Sequence, residues 1–274
     1  MKIKFALNTL MLNPDLNILE KIKIASKAGF CGIEPWINEL TSPSDIKKCC
    51  SDYGISIPTV ELLNGWFEND GELMGVKNSH DAIIEECKRR MNICADIGAE
   101  WIICTPSFSH RNHFGSWDQG VEYFRELITL GEVTGCKPTI EFMGQTGQIY
   151  NFDLCKKFIE DVGHDARMII DSYHLWRGGG KIDDFNGVNK EKISVFHISD
   201  ADKNIIRENH MDRDRVMPLD GHINLFLFAN LIHDIEYDGF VNIGVYNRSL
   251  WKTNQLFLAQ SAMSRLKLIF HNSF

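Results

Sequence analysis

Residues 168–174 read MIIDSYH, a short apolar run that stops at polar side chains. An apolar run of this length bounded by polar residues is typical of a buried β-strand. The pattern predicts a strand over residues 168–171, with the carboxylate of Asp171 at its C-terminal end.

The same pattern recurs along the whole chain. Predicted strands cover residues 3–7, 32–34, 57–61, 101–105, 138–142, 168–171, 193–198 and 240–246. Helical patterns lie between most of them, over residues 17–28, 44–53, 81–97, 117–134, 152–162, 225–235 and 254–270. A glycine just past several of these helices, as at Gly29, Gly54 and Gly135, is the usual signal for a helix end.

Eight strands that each lead into a helical or loop segment predict an α/β fold, the (β/α)8 TIM barrel. A barrel of this kind takes about 250 residues, and the chain has 274. No linker or low-complexity tract divides the chain, so we expect a single domain over residues 1–274. The crossover after the sixth strand shows the least helical pattern, because Gly178-Gly179-Gly180 precedes a short polar segment. A doubly wound open sheet is the alternative, although no G-x-G-x-x-G motif follows the first strand.

Composition excludes several classes of protein. With 44% hydrophobic and 24% charged residues the chain is typical of a globular protein. Its formal net charge of -8 argues against a nucleic-acid partner, and no apolar run approaches the length of about 18 residues that spans a membrane. The eight cysteines include no C-x-x-C pair, and Cys104 lies within an apolar run. We interpret them as buried free thiols of a cytoplasmic protein.

A polar residue ends seven of the predicted strands. In a barrel, the C-terminal ends of the strands carry the active site, so these residues predict a polar pocket above an apolar barrel. They are Asn8, Glu34, Glu61, Thr105, Glu141, Asp171 and His197.

Three of these residues come from neighbouring strands and have the chemistry of metal ligands. Glu141, Asp171 and His197 offer two carboxylates and an imidazole, a set that suits Mn²⁺, Mg²⁺ or Zn²⁺. Each also has a structural interpretation: Glu141 as a solvent-facing loop residue, Asp171 as a helix cap, His197 as a hydrogen-bonded core histidine. Their shared position at three consecutive strand ends favours the metal site.

Two further residues follow these ligands by three positions. His174 follows Asp171 and is a candidate substrate hydrogen-bond partner or proton shuttle. Asp200 follows His197, and we favour a structural role for it over one of orienting an imidazole.

Other candidates concern the substrate. Arg215 and Arg177 can bind an anionic or polyhydroxyl ligand through the guanidinium, although an exposed loop position is the more common use for Arg177. Trp36 and Trp66 follow the second and third strands and can stack on a sugar ring or pack in the core. Glu34, on the same rim, is the remaining candidate for substrate binding.

The chain resembles the sugar phosphate isomerases and epimerases of the xylose-isomerase-like barrel superfamily. The resemblance covers essentially the whole chain and is carried by segments 32–34, 140–142, 170–174 with 177–179, 195–200, 215–221 and 237–241. It implies a divalent metal held by Glu141, Asp171 and His197, with His174 and Arg215 near a sugar or sugar-phosphate substrate. It also implies that Glu141 removes the proton next to the substrate carbonyl while the metal stabilises the enediolate. Dimers and tetramers are common in such families, so a homo-oligomer is compatible with it.

Two residues depart from the family pattern. Gly244 stands where the eighth strand normally supplies a second glutamate, which is a metal ligand and the partner acid/base. Leu219 stands where a glycine is usual. The loss of a carboxylate leaves four hypotheses open: a one-base isomerase with His174 or water as proton donor, a pocket enlarged for a substrate with its own ligand group, a related dehydratase, and a degraded sugar-binding barrel. The endonuclease branch of the superfamily normally needs more histidines and a basic DNA face.

Overall fold

The computed structural model describes residues 3–66, 70–106, 116–145, 148–163 and 165–271. Its strands are β1 Lys4–Asn8, β2 Gly32–Glu34, β3 Thr59–Leu63, β4 Trp101–Cys104, β5 Lys137–Glu141, β6 Met168–Asp171, β7 Ile193–Ile198, β8 Asp200–Ala201, β9 Arg215–Val216 and β10 Phe240–Ile243. Its α-helices are α1 Ile18–Ala28, α2 Pro43–Tyr53, α3 His80–Asp96, α4 Trp117–Thr134, α5 Phe152–Val162, α6 Ser172–Arg177, α7 Leu225–Asp234 and α8 Gln255–Ile269.

Eight of the strands form one parallel sheet in the order β2-β1-β10-β7-β6-β5-β4-β3. The first and last strands of the chain are neighbours, with Phe5 opposite Val241 and Leu7 opposite Ile243. Isolated bridges from Gly32 to Ser56 and from Trp36 to Glu61 connect β2 to the β3 side. These contacts nearly close the sheet into a barrel, which confirms the predicted TIM barrel and excludes the open doubly wound sheet.

The predicted elements differ from the observed ones mainly at their ends. β3 starts at Thr59 rather than at residue 57, because Pro58 has no N–H to donate to a neighbouring strand. β10 stops at Ile243, three residues before the predicted end. The sixth crossover contains the six-residue helix α6 and two short 3-10 segments, Ile182–Phe185 and Lys190–Lys192, in keeping with its weak helical pattern.

The barrel interior separates into an apolar and a polar level. Leu62, Ile103, Ile169 and Val195 form a small buried cluster that is distinct from the main core. Residues two apart on a strand share a face, so Asp171 lies on the side of Ile169 and His197 on the side of Val195. The strand ends therefore place the polar residues above this apolar cluster.

The state of the cysteines and the character of the helices agree with what the sequence predicts. All eight cysteines are free thiols, and seven of them are buried. Within the described ranges, no helix is both long and apolar enough to cross a membrane. The single-domain boundary over residues 1–274 stays a prediction.

Candidate active site

All seven predicted rim residues are buried at the C-terminal end of the barrel. A pocket of about 240 Å³ opens above them. Its lining includes four predicted site residues: Trp36, Glu141, His174 and Arg215. The rest of the lining consists of Leu10, Glu61, Leu62, Thr105, Met143, Asp212 and Tyr246.

The remaining predicted site residues, Glu34, Asp171 and His197, are each at least 95% buried and are not part of this lining. The Glu34 carboxylate is held by four donors beneath the pocket. Its Oε1 accepts from Asn8 Nδ2 at 2.6 Å, and its Oε2 accepts from Asn242 Nδ2 at 2.6 Å and from the Thr59 hydroxyl. The fourth donor is the imidazole of His197.

His197 lies between two carboxylates. Its Nε2 is 2.9 Å from Oε2 of Glu34, and its Nδ1 is 3.1 Å from Oε1 of Glu141. Burial alone would lower the pKa of His197, but Glu34 and Glu141 outweigh burial and hold it well above the usual 6.5. Burial would raise the pKa of Glu34, while His197, Thr59 and Asn242 lower it to about 2. The two residues therefore form a buried ion pair.

Glu141, Asp171 and His174 form the group with metal-ligand spacing. Each offers one ligand atom, and the three atoms lie within 4.8 Å of one another. Oε1 of Glu141 is buried and accepts no hydrogen bond from the described residues, although His197 Nδ1 is close to it. A buried carboxylate oxygen without a donor fits a bound cation. His197 is not in this group, and as an imidazolium it carries a proton on each nitrogen, so it would bind a cation only after losing the Nδ1 proton while Nε2–H stays bonded to Glu34. These residues thus fit a divalent metal.

Asp171 caps helix α6, as its structural interpretation predicts, and it also belongs to the group with metal-ligand spacing. Its Oδ1 accepts from the backbone N–H of Tyr173 at 2.6 Å and of His174 at 3.3 Å, at the start of α6. Its Oδ2 accepts from Arg215 Nη1 at 2.8 Å. Burial would raise the pKa of Asp171, but the charge of Arg215 and the nearby imidazoles of His174 and His197 lower it to about 2.

Arg215 is the buried cation of this side of the rim. Its Nη2 lies 2.7 Å from Oδ1 of Asp212 and 2.9 Å from Nε2 of His174. The guanidinium lies over the rings of Tyr173 and Tyr246, at 4.2 and 4.9 Å from their centroids. Because a guanidinium only donates, Nε2 of His174 acts as an acceptor here. Burial and Arg215 lower the pKa of His174 below its usual 6.5, so the ring is neutral at pH 7.

Asp200 has the structural role that we favoured. Its carboxylate accepts hydrogen bonds from the backbone N–H groups of Leu219, Gly221 and Ile223 at 2.9 to 3.1 Å. These bonds hold the loop that follows Arg215 on β9. Leu219, the departure from the family glycine, has a φ of 78°, in the left-handed region where a glycine is unstrained.

Trp66 follows its structural interpretation, whereas the exposed loop position expected for Arg177 is wrong, because Arg177 is the half-buried last residue of α6. Arg177 donates to the backbone carbonyls of His210 and Glu208. Trp66 packs in the core, with ring centroids 5.4 Å from Phe124 and 6.3 Å from Phe158.

The second side of the rim was only partly recognised in the sequence. Asn8 Nδ2 donates to Oε1 of both Glu34 and Glu61, and the Tyr246 hydroxyl donates to Glu61 Oε1 at 2.7 Å. Glu61 was visible as a strand-end residue but was not assigned to the site. Tyr246 and Asp212 were missed, because they lie beyond strand ends where no local pattern marks them.

The chain belongs to the xylose isomerase-like TIM barrel family, whose model matches residues 22–268. The predicted family is confirmed. An inosose isomerase from Bacillus licheniformis is 26% identical over 180 residues, and the match covers 64% of both chains. A probable endonuclease 4 from Metamycoplasma arthritidis is 25% identical over 179 residues, covering 58% of this chain and 59% of the relative. The matches thus span less than two thirds of these relatives.

The fold also matches a solved structure described as the IolI protein with a binding zinc atom. The two chains share 21% identity with a TM-score of 0.87, and the match covers 99% of each.

Proposed function

We propose that this chain is a cytoplasmic, metal-dependent isomerase or epimerase that acts on a sugar or sugar phosphate by moving a proton next to a carbonyl group. The carboxylate of Glu141 at the pocket wall carries the proposal: its buried Oε1 accepts no hydrogen bond from the described residues, and its one close charged neighbour there is His197 Nδ1 at 3.1 Å. The similarity to an inosose isomerase supports the same reaction class.

The proposed metal ligands are Glu141, Asp171 and His197. His174 is the competing imidazole, because it shares the ligand spacing of the two carboxylates. A mixed set of carboxylate oxygen and imidazole nitrogen favours Zn²⁺ or Mn²⁺ over Mg²⁺. When bound, a divalent cation supplies Lewis-acid stabilisation of the negative charge that develops on the substrate oxygens.

Glu141 is the proposed base. Its carboxylate lines the pocket; with Oε1 assigned to the cation, the second oxygen, Oε2, would take the proton. Asp171 is shielded from this role, because Arg215 and two backbone N–H groups occupy its oxygens. General-base catalysis of this kind typically contributes about 10²–10⁴-fold to the rate.

The other lining residues supply substrate contacts. Thr105 Oγ1 and Trp36 Nε1 are buried atoms with no hydrogen-bond partner among the described residues. Both residues line the pocket, so a substrate hydroxyl can satisfy each of them. His174 and Arg215 complete the polar wall, and Arg215 orients the neutral imidazole of His174.

The proposal is tested by metal analysis followed by a substrate panel. We expect about one divalent ion per chain after loading, and reduced metal affinity in Asp171→Asn and His197→Gln. Glu122→Gln, on the exposed face of α4, is the matched control. Ketoses, their phosphates and inososes are then incubated in D2O, and we expect deuterium at the carbon next to the carbonyl. Failure to bind metal even after loading would contradict the proposal.

A sugar-binding barrel without catalysis is the second candidate, and Gly244 favours it. A Cβ at Gly244 would lie 3.4 Å from Asn8 Cβ and from the Tyr246 hydroxyl, which is ordinary contact. The backbone therefore does not require glycine there, so nothing in the local structure prevents a carboxylate. Saturable binding of a panel sugar with no deuterium uptake in the metal-loaded protein would favour this candidate over the enzyme.

The relative named as a probable endonuclease 4 makes DNA cleavage a further alternative. The net charge of -8 argues against it. We expect no binding and no cleavage of an abasic duplex by the metal-loaded protein, and cleavage would contradict the sugar proposal.

A further inference from the structure

We infer that Glu61 is the second catalytic residue of this site, a carboxyl group that exchanges a proton with the substrate face opposite Glu141. The inference rests on the proposed function and deepens it, because two-sided proton transfer makes the reaction an epimerisation.

The first observation is the position of the Glu61 carboxyl group. Glu61 belongs to β3, but its Oε1 lies 2.5 Å from Asn8 Nδ2, at the end of β1. In the barrel order, β1 is four strands away from β5 in either direction. The carboxyl group of Glu61 thus reaches from β3 toward β1, on the side away from β5, and both Glu61 and Glu141 line the same pocket.

The second observation is how the group is held. Asn8 and Tyr246 both donate to Oε1 of Glu61, which leaves Oε2 for a ligand in the pocket. Burial raises the pKa of the Tyr246 hydroxyl, so this group stays a donor at pH 7. One oxygen is fixed and the other is presented to the pocket, as expected for an oriented acid–base residue.

The third observation concerns Gly244. The two residues that hold Glu61 are also the ones that border the open Cβ position of Gly244. A carboxyl group from β3 therefore reaches the corner that a longer side chain on the eighth barrel strand would enter. Glu61 can supply an acid–base group at this corner of the site.

The electrostatic environment favours the protonated form of Glu61. Burial, together with the nearby charges of Glu34 and Glu141, raises the pKa of Glu61 well above 4.5. Tyr246 and His197 act in the opposite direction and do not outweigh burial. A neutral carboxylic acid facing a second carboxylate is a recurring acid–base arrangement.

The proton balance follows. Glu141 takes the proton from the carbon next to the carbonyl, so a C–H bond breaks and an O–H bond forms on Glu141. Glu61 gives its proton to the opposite face of the same carbon, so its O–H bond breaks and a new C–H bond forms with inverted configuration. Exchange with solvent returns both groups to their starting states.

The test compares proton exchange with inversion in D2O, using the metal-loaded protein and the substrate panel above. Without Glu61, Glu141 still removes and returns the proton on one face. We expect Glu61→Gln to retain deuterium uptake into recovered substrate while epimer formation falls about 10²-fold or more. Glu61→Asp should recover part of the epimer formation. Glu100→Gln, a carboxylate that precedes β4 at the other end of the barrel, is the control that should match wild type.

Two results separate the possible failures. Epimer formation by Glu61→Gln within about threefold of wild type would overturn the role of Glu61 alone. Absence of any deuterium uptake by wild type would overturn the proposed function and this inference with it. If Glu61→Gln fails to fold, Tyr246→Phe, which removes one donor to Oε1, should lower epimer formation more than exchange. Equal losses in Tyr246→Phe would then overturn the inference.

Discussion

The two sides of the rim neutralise their carboxylates in different ways. On the β6 side, Asp171 and Asp212 share the permanent charge of Arg215. On the β2 and β3 side, Glu34 depends on the titratable His197, and the side-chain donors to Glu61 in the described part of the chain are the neutral groups of Asn8 and Tyr246. The first side is fixed in charge, while the second can gain and lose protons. The fixed charges of the first side stabilise the fold, and the titratable groups of the second side can take part in proton transfer.

Removal of the fixed charge should have the largest effect on stability. Arg215→Met leaves Asp171 and Asp212 buried without a cation, and we expect a loss of about 3–5 kcal/mol in the free energy of unfolding. Urea unfolding of the metal-free protein measures it. Arg177→Met, which removes hydrogen bonds to backbone carbonyls alone, is the control and should cost about 1 kcal/mol. Similar losses in the two variants would contradict the difference between the two sides.

The free energy of unfolding should depend on pH through the titratable residues of the β2 and β3 side. The pKa of Glu34 falls from 4.5 to about 2 on folding, so its contribution is present above pH 4.5 and is lost as the pH falls toward 2. We expect the stability advantage of wild type over Glu34→Gln to shrink by about 2–3 kcal/mol over this range. His197 has the opposite sign, because its raised pKa gives stability that is complete below pH 6.5 and is lost as the pH rises.

Urea titrations of the chelated protein at several pH values measure this difference. An advantage that stays constant or grows with acidification would show that Glu34 is not held by His197.

A carboxylate added at Gly244, between the two sides of the rim, should change metal affinity, and this is the smallest of the expected effects. The Cβ of Gly244→Glu meets only ordinary contacts, and a further anion near the proposed ligands should increase metal affinity about tenfold, or about 1.4 kcal/mol. Calorimetric titration of Zn²⁺ measures it. Gly244→Gln, of equal size and without charge, should bind metal like wild type. Weaker binding by Gly244→Glu would instead mean that the glycine serves the site.

The sequence predicted the positions of the barrel strands because each is a short apolar run with a polar end. It could not locate β3 to the residue, since Pro58 shifts the start of hydrogen bonding without ending the apolar run. The strand-end rule also placed Glu141, Asp171 and His197 together at one rim, because parallel strands bring their C-terminal ends to the same edge; their role as a ligand set stays a prediction, and the group with ligand spacing has His174 in place of His197.

Contacts between distant segments were beyond this rule. The pairing of His197 with Glu34 joins residues 163 positions apart, and that of Tyr246 with Glu61 joins residues 185 positions apart. Neither has a local signal. Glu61 did have one, because it ends a strand, but only the structure shows that its carboxyl group crosses to β1.

The most direct test of the central claim is deuterium uptake next to the carbonyl by the metal-loaded protein and its Glu141→Gln variant. We predict uptake from at least one panel sugar by wild type and a rate lower by about 10²–10⁴-fold in the variant, with both proteins compared at a metal concentration that saturates each of them. Equal uptake by both proteins would contradict the role of Glu141, and no uptake by wild type would contradict the proposed reaction.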